Sequence, residues 1–372
     1  MSPLRRSSGG TLQARRILGR RAFARPGAVV LTDTRGRLTA EDLHGQLQLM
    51  EQRDTRPPRL SELPAAAPLR QVLVTALAGD GQLDLRSSGA TGAPRVHHRG
   101  PSTAAQQRTW NDLAKRIGLR RHAVVATALP GVHGLGLRLA LESLAAGAPL
   151  VDLSHLSVQR RLAMLHRTTP HLLVGTPMHL ADLLEADGEL SGHRALRIPR
   201  IASGADRLDP ELHADLARHW RARVHDVYGT TETGMLAVDG TPLRGVRIRS
   251  RDGVLRARTP VTGRRWLVTD RGEVDEQGRV TVLGRLPGDR EDEGMAPDPR
   301  AVVRLLQTQP GILRVRLRVV PDAQRVRRTI AHVTVDESVG VTHTAPGVQA
   351  LVHDRLGAAS VPSEVRISSR GR

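Results

Sequence analysis

The feature that most constrains the fold is the alternation of short apolar runs with amphipathic stretches between residues 28 and 240. Residues 122–129 and 149–153 are apolar runs of strand length, and residues 137–148 between them have a helical pattern. Strands that alternate with helices in this way are typical of parallel sheets whose faces are covered by helices. The sequence therefore predicts an α/β fold built on a mostly parallel sheet.

Two local predictions follow within this region. A short hairpin should precede a helix that begins near Thr39, because Glu41 and Asp42 place acidic side chains in its first turn. The run QVLVTAL, at residues 71–77, contains two valines and a threonine and is predicted to be a strand.

The pattern changes from about residue 241 onward. Apolar residues then alternate with period two, and turn signals occur at Asp252-Gly253 and Gln277-Gly278, which predicts antiparallel hairpins. A charged segment with few apolar residues follows at 284–299. We expect a large domain over residues 1–284, a hinge at Arg285–Pro287 and a small α+β domain over residues 285–372.

Composition excludes several classes of function. The chain has no cysteine, so disulfides, thiolate metal sites and cysteine nucleophiles are excluded. No apolar run is long enough to span a membrane, and we expect a soluble, cytoplasmic protein. The net charge is +19, but Lys115 is the only lysine and the arginines are scattered along the whole chain. Because a nucleic-acid-binding face requires a concentrated basic patch, we do not expect a nucleic-acid partner.

The polar stretch SSGATGAP at residues 87–94, followed by Arg95, is either a surface turn or a phosphate-binding loop. It is followed by LPGVHGLG at 129–136, SGA at 203–205, YGTTE at 228–232, TD at 269–270 and GR at 284–285. This order of motifs resembles the adenylate-forming (AMP-binding) superfamily, which includes acyl-CoA synthetases, luciferases and the adenylation domains of peptide synthetases. The resemblance extends from residue 37 to the C-terminal segment and favours the phosphate loop.

The resemblance implies a two-step activity. A carboxylic acid, by the family's pattern a fatty or aryl acid, attacks the α-phosphate of ATP to give an acyl-adenylate and pyrophosphate. A thiol, that of coenzyme A or of a carrier protein, then takes the acyl group. The implied cofactors are ATP, Mg²⁺ and coenzyme A.

Within this scheme the resemblance assigns roles to individual residues. Thr231 would bind the α-phosphate, Glu232 would hold Mg²⁺, and Arg95 would bind phosphate in place of the family's lysine. His133 and Gly134 would line the acyl pocket. The remaining positions would bind the nucleotide, the first five of them through its β- and γ-phosphates: Ser87, Ser88, Gly89, Thr91, Gly92, Gly204, Ala205, Tyr228, Gly229, Asp270 and Arg285.

Several departures from the family pattern leave two interpretations open. The family's C-terminal lysine has no counterpart except Arg372, and Pro287 stands at the hinge, where it restricts rotation. The chain is also shorter than usual members, mainly before Ser87, which leaves room for a partner chain or a second copy. The protein is therefore either an acid–thiol ligase or a non-catalytic relative that binds ATP, AMP or an acyl-adenylate as a sensor or partner subunit.

Overall fold

The computed structural model describes residues 11–52, 59–64, 66–79, 81–86, 96–189, 196–284, 299–320, 328–356 and 360–369. These residues form two compact units, a larger one up to residue 284 and a smaller one from residue 299. The strands are β1 (Val29–Asp33), β2 (Gly36–Thr39), β3 (Leu83–Arg86), β4 (Val96–Arg99), β5 (Val125–Thr127), β6 (Leu150–Asp152), β7 (Leu172–Gly175), β8 (Arg200–Gly204), β9 (Arg223–Thr230), β10 (Gly234–Val238), β11 (Thr241–Pro242), β12 (Arg247–Arg251), β13 (Val254–Arg258), β14 (Leu267–Val274), β15 (Val280–Gly284), β16 (Ile312–Val320), β17 (Arg328–Val335) and β18 (Glu364–Ser369).

The α-helices are α1 (Thr11–Ala24), α2 (Ala40–Gln52), α3 (Leu69–Ala78), α4 (Ala104–Ile117), α5 (Gly134–Ala146), α6 (Val158–Thr168), α7 (Pro177–Glu189), α8 (Pro210–His219), α9 (Pro299–Gln307) and α10 (Ala345–Leu356). Short 3-10 helices lie at Leu60–Glu62 and Glu337–Val339. Among the described residues, no helix combines the length and the apolar character needed to cross a membrane.

The larger unit is organised around a nine-stranded sheet, in the order β11-β10-β9-β8-β7-β5-β6-β1-β2. The six strands from β9 to β1 are mutually parallel, and antiparallel strands flank them on both sides. The central strands β5, β6 and β7 are buried along their whole length, as expected for a sheet with helices on both faces. The predicted α/β fold is confirmed.

The two faces of this sheet have separate aliphatic cores. Leu18 of α1, Leu43 of α2 and Leu137 of α5 belong to one core. Leu162 of α6 and Leu216 of α8 belong to the other, together with Trp220, whose indole N–H donates to Asp187 Oδ2 at 2.7 Å. The helices therefore hold the sheet from both sides and fix the position of the loops at its edges.

The hairpin and the helix near Thr39 are confirmed, but the strand prediction for residues 71–77 is wrong. These residues lie in helix α3, where Val72, Leu73, Ala76 and Leu77 are buried at helical spacing. Pro68 precedes the helix and has no side-chain donor or acceptor, so the buried Asp152 carboxylate accepts from the Leu69 N–H at 3.0 Å. Burial among α1, α2 and α5 outweighs the strand preference of the β-branched residues.

The period-two region forms an antiparallel sheet, β12-β13-β14-β15, within the larger unit. Its first turn has Asp252 and Gly253 at φ values of 55° and 72°, which is the geometry of a two-residue hairpin loop. The smaller unit has a three-stranded sheet, β16-β17-β18, whose apolar side chains share a core with α9 and α10.

Candidate active site

The motif residues of the larger unit gather where the parallel strands of the large sheet end. Gly204 is the last residue of β8, Tyr228 and Gly229 lie near the end of β9, and His133 follows β5 in the connection to α5. In open α/β sheets, ligands bind in the crevice outside the carboxyl ends of the strands. The fold thus places these motifs where a ligand site is expected.

Tyr228 and Asp270 are in direct contact, although they belong to different sheets. The Tyr228 hydroxyl donates to Asp270 Oδ2 at 2.7 Å, and it also lies 2.9 Å from Oγ1 of Thr269. Asp270 is only 3% exposed, so this contact helps to satisfy a carboxylate that is largely removed from water. Two residues predicted to bind the nucleotide, Tyr228 and Asp270, are therefore joined directly by a hydrogen bond.

Thr231 and Glu232 form a tight connection between β9 and β10. Within it, the Thr233 N–H donates to Thr230 Oγ1 at 3.2 Å, and the Thr259 hydroxyl donates to the Thr233 carbonyl at 2.9 Å. These bonds fix the backbone on both sides of Glu232, whose side chain is half exposed. A carboxylate in this position can reach a ligand while its backbone stays fixed.

The strand pair β3–β4 contacts this same connection. The Arg99 guanidinium donates through Nη2 to the carbonyls of Thr231 at 2.6 Å and Glu232 at 2.9 Å, and His97 Nε2 lies 3.5 Å from Glu232 Oε1. Burial lowers the pKa of Arg99, and the nearby Glu232 carboxylate partly opposes that shift. Sequence reasoning missed both residues, although VHHR follows the predicted phosphate loop directly.

The predicted phosphate-binding residues Ser87, Ser88, Gly89, Thr91, Gly92 and Arg95 lie outside the described residues, as do Arg285, Pro287 and Arg372. The flanks of the first group are described. Arg86 and Val96 face each other in the antiparallel ladder of β3 and β4. The described residues on either side of positions 87–95 therefore belong to the strand pair that contacts Thr231 and Glu232.

The predicted acyl-pocket residues lie at the start of α5, beside the end of β8. His133 is the N-cap residue of α5 without a side-chain capping bond, and Gly134 is the first helical residue. A Cβ atom on Gly204 would lie 2.7 Å from Leu135 Cδ2, so these two segments are in close contact. Ala205 adopts a left-handed conformation, with φ at 68°. The structure thus brings His133 and Gly134 near Gly204 and Ala205.

Glu232 fits a magnesium ion that is shared with a nucleotide. Mg²⁺ is usually bound through one or two carboxylates together with substrate phosphates, and it does not need a cage made only of protein ligands. In the part of the chain that the structure describes, no group of three or more His, Asp or Glu side chains forms such a cage. A single half-exposed carboxylate therefore agrees with the predicted role.

Comparison with known proteins identifies the family of the chain. A sequence model of the family described as AMP-binding enzyme matches residues 86–285 of the chain. This range includes the β3–β4 hairpin, the Tyr228–Asp270 pair and the Thr231–Glu232 connection. No curated protein is significantly similar to the chain in sequence.

Solved structures share the fold at low sequence identity. An amide bond synthetase from Marinactinospora thermotolerans is 18% identical, with a TM-score of 0.59, over 96% of this chain and 95% of that one. ATP-bound MatB from Rhodopseudomonas palustris is 16% identical, with the same TM-score and the same shares covered. O-succinylbenzoate coenzyme A synthetase from Bacillus subtilis, with ATP and magnesium, is 17% identical, with a TM-score of 0.57 over 96% of each chain.

Proposed function

The chain belongs to the AMP-binding enzyme family, and from this premise we propose that a carboxylate attacks the α-phosphate of ATP at this site, which forms an acyl-adenylate and releases pyrophosphate. A thiol such as that of coenzyme A would then take the acyl group, and AMP would leave. The observation that carries this proposal is the contact of Arg99 with the Thr231 and Glu232 carbonyls. It joins the hairpin that flanks the predicted phosphate loop to the predicted magnesium ligand.

The chain's own residues would act by binding and positioning. Tyr228 and Asp270 would bind the adenosine, with the buried carboxylate accepting hydrogen bonds from the ribose hydroxyls. Thr231 would donate its hydroxyl to the α-phosphate, and Glu232 would hold Mg²⁺, which neutralises phosphate charge when bound. Holding an acid against this phosphate converts a bimolecular reaction into an effectively unimolecular one.

A thiol acceptor is favoured by the motif around His133, which resembles the acyl-pocket loop of acyl-CoA synthetases. An amine acceptor is the second candidate, because one of the similar structures is an amide bond synthetase. The two candidates share the adenylation step and differ only in the group that attacks the acyl-adenylate.

A non-catalytic function is the alternative, and it is favoured by the lack of any lysine after Lys115 in the sequence. Lys115 is the only lysine of the chain, and it lies on α4, so the family's C-terminal lysine is absent from the sequence. A protein without this side chain would retain the nucleotide contacts of Tyr228 and Asp270 while adenylate formation is slow or lost. Such a protein would bind ATP or an acyl-adenylate without turning it over.

Product analysis by mass spectrometry tests these proposals. The protein is incubated with Mg-ATP and a panel of fatty, aryl and short-chain acids, first alone and then with coenzyme A or with a primary amine. We expect an acyl-adenylate in the first incubation and an acyl-thioester in the second. An amide without a thioester would replace the thiol proposal by the amine one. Bound ATP with no adenylate from any acid would support the non-catalytic alternative.

A further inference from the structure

The larger unit has a cavity of about 500 Å³ at the amino ends of the parallel strands, opposite the candidate active site. It lies between α1, α4 and α5, where His171 precedes β7 and Arg200 begins β8. Arg200 and Gly204 are the two ends of β8, which puts the two sites about 13 Å apart along this strand. The volume is in the range of pockets that hold small metabolites.

The cavity lining has an excess of positive charge. Lys115, Arg120 and Arg200 contribute three cations, and none of them forms a salt bridge with an acid of the described chain. Glu142 is the acidic residue of the lining, and its carboxylate is already engaged by Arg138 Nε at 3.2 Å and by the Gln107 amide at 3.1 Å. The three cations therefore remain available to an anion.

Arg200 is held in place at the cavity wall. Its side chain crosses directly over Gly118, where a Cβ atom would lie 2.2 Å from Arg200 Cδ. Its Nη1 is 3.3 Å from Nε2 of His225, whose Nδ1 is 2.9 Å from Asp239 Oδ2. An arginine fixed in this way loses less conformational entropy when it binds an anion.

The C-terminal end of α4 does not neutralise the positive charge of Lys115, Arg120 and Arg200. The helix ends at Ile117, and the dipole of a helix presents only about half a negative charge at its C-terminus. The Gly118 N–H already bonds to the carbonyls of Ala114 and Lys115. The positive potential also reaches His171, where burial lowers the pKa and Arg120 and Arg200 lower it further.

Polar groups that can orient a ligand accompany the cations. The amides of Gln13 and Asn111 line the cavity. Gln13 Oε1 is buried and, within the described chain, accepts no hydrogen bond. Buried polar groups of folded proteins nearly always have a partner, so this acceptor indicates a place for an ordered water or for a ligand group that donates, such as a hydroxyl.

We propose that this cavity binds a small anion with two or more negative charges on phosphate or carboxylate groups. The site is distinct from the proposed nucleotide site, and the proposal does not depend on the proposed function. Lys115 and Arg120 would close on the anion from exposed positions, while Arg200 would provide the fixed contact.

Calorimetry with three probes tests the proposal. Inorganic pyrophosphate, fructose 1,6-bisphosphate and citrate are titrated separately without Mg²⁺ at about 0.15 M salt, where weak surface attraction is screened. At least one probe should bind with a stoichiometry of one, and the tightest of the three identifies phosphate or carboxylate as the preferred group. If none of them binds, the proposal is wrong.

A double variant and a matched control locate the binding. Lys115→Ala with Arg120→Ala should raise the dissociation constant by about tenfold or more, because two charge-assisted contacts are lost. Arg218→Ala with Arg251→Ala removes the same charge from exposed positions outside the cavity and should change nothing. Equal weakening in both double variants would overturn the proposal, and so would displacement of the probe by AMP. Glu232→Ala should retain anion binding whether or not the proposed adenylation is correct.

Discussion

At the residue scale, the surroundings of Glu232 depend on one half-buried arginine that the motifs do not include. Arg99 holds two successive carbonyls of the β9–β10 connection, because its Nη2 carries two N–H groups and donates to both. Because these carbonyls flank the proposed magnesium ligand, Arg99 is a positioning residue. It acts on the metal through the backbone of Thr231 and Glu232.

Arg99→Ala should therefore raise the Mg²⁺ concentration needed for half-maximal nucleotide binding. We expect an increase of about tenfold or more, since a hydrogen bond from a charged group contributes about 1.5–3 kcal/mol. Arg116→Ala is a matched control, because Arg116 donates in the same way to the carbonyls of Thr241 and Pro242. A magnesium titration of ATP binding in both variants distinguishes positioning from general stability. An equal shift in the two would contradict the assignment.

The motif residues could be predicted from the sequence, while their supporting residues could not. Tyr228 and Asp270 belong to short motifs whose order along the chain is specific. Arg99 contacts Thr231 and Glu232, which lie 132 and 133 positions later in the sequence. The pairing of β3 with β4 places Arg99 beside them. A contact of that separation leaves no local pattern in a single sequence.

At the scale of elements, the β9–β10 hairpin depends on a close approach of two backbones. A Cβ atom on Gly229 would lie 2.7 Å from the Gly234 carbonyl oxygen and 2.8 Å from Met235 Cα. Both are backbone atoms, so the strands would have to separate to admit a side chain. Any such separation would also move Thr231 and Glu232.

Gly229→Ala should lower the free energy of unfolding by about 1–3 kcal/mol, the usual range for overpacking, and it should weaken ATP binding. Gly45→Ala in α2 is the opposite case, because a Cβ atom there meets no atom within 4 Å. It should stabilise the protein by about 0.5–1 kcal/mol, as alanine does in a helix interior. Urea unfolding of both variants shows whether the free energy of unfolding falls in Gly229→Ala and rises in Gly45→Ala. A neutral Gly229→Ala variant would show that the strands are not tightly held.

The helix–strand rhythm was sufficient to predict the fold class but not every element. The β-branched content of residues 71–77 predicts a strand, whereas Val72, Leu73 and Leu77 are buried in a helix that packs on α1, α2 and α5. The hairpins after residue 241 were easier to predict, because Asp252-Gly253 directly specifies a turn. The residue types at a turn are sufficient to predict its structure, whereas the structure of the short apolar run at 71–77 depends on tertiary packing.

At the scale of the whole molecule, one partly buried histidine should make the larger unit sensitive to acid. Burial, and secondly the charge of Arg161, lower the pKa of His179 in α7 to about 4. The unfolded chain has the ordinary value of 6.5, so it binds a proton more readily than the folded protein does. Stability is therefore complete above pH 6.5 and is lost as the pH falls from there towards 4.

Between pH 7.5 and pH 5, His179 alone should reduce the free energy of unfolding by about 2 kcal/mol. His179→Gln removes this titration, so its stability should fall by about 2 kcal/mol less than that of the parent over the same interval. His213→Gln, at an exposed position, serves as the control. The fluorescence of Trp110, Trp220 and Trp266, all in the larger unit, reports the unfolding. Parallel curves for the parent and His179→Gln would contradict the assignment.

The measurement that tests the central claim most directly is pyrophosphate release from Mg-ATP in the presence of a panel of carboxylic acids. The parent, Glu232→Ala and the exposed control Glu211→Ala are assayed side by side. We predict release that depends on the acid and that the control retains. Glu232→Ala should lose it by at least about a hundredfold, because removal of even an outer-shell partner of a metal ligand costs about 10–100-fold. Release that is equally fast in Glu232→Ala, or absent with every acid in the parent, would contradict an adenylating enzyme built on this site.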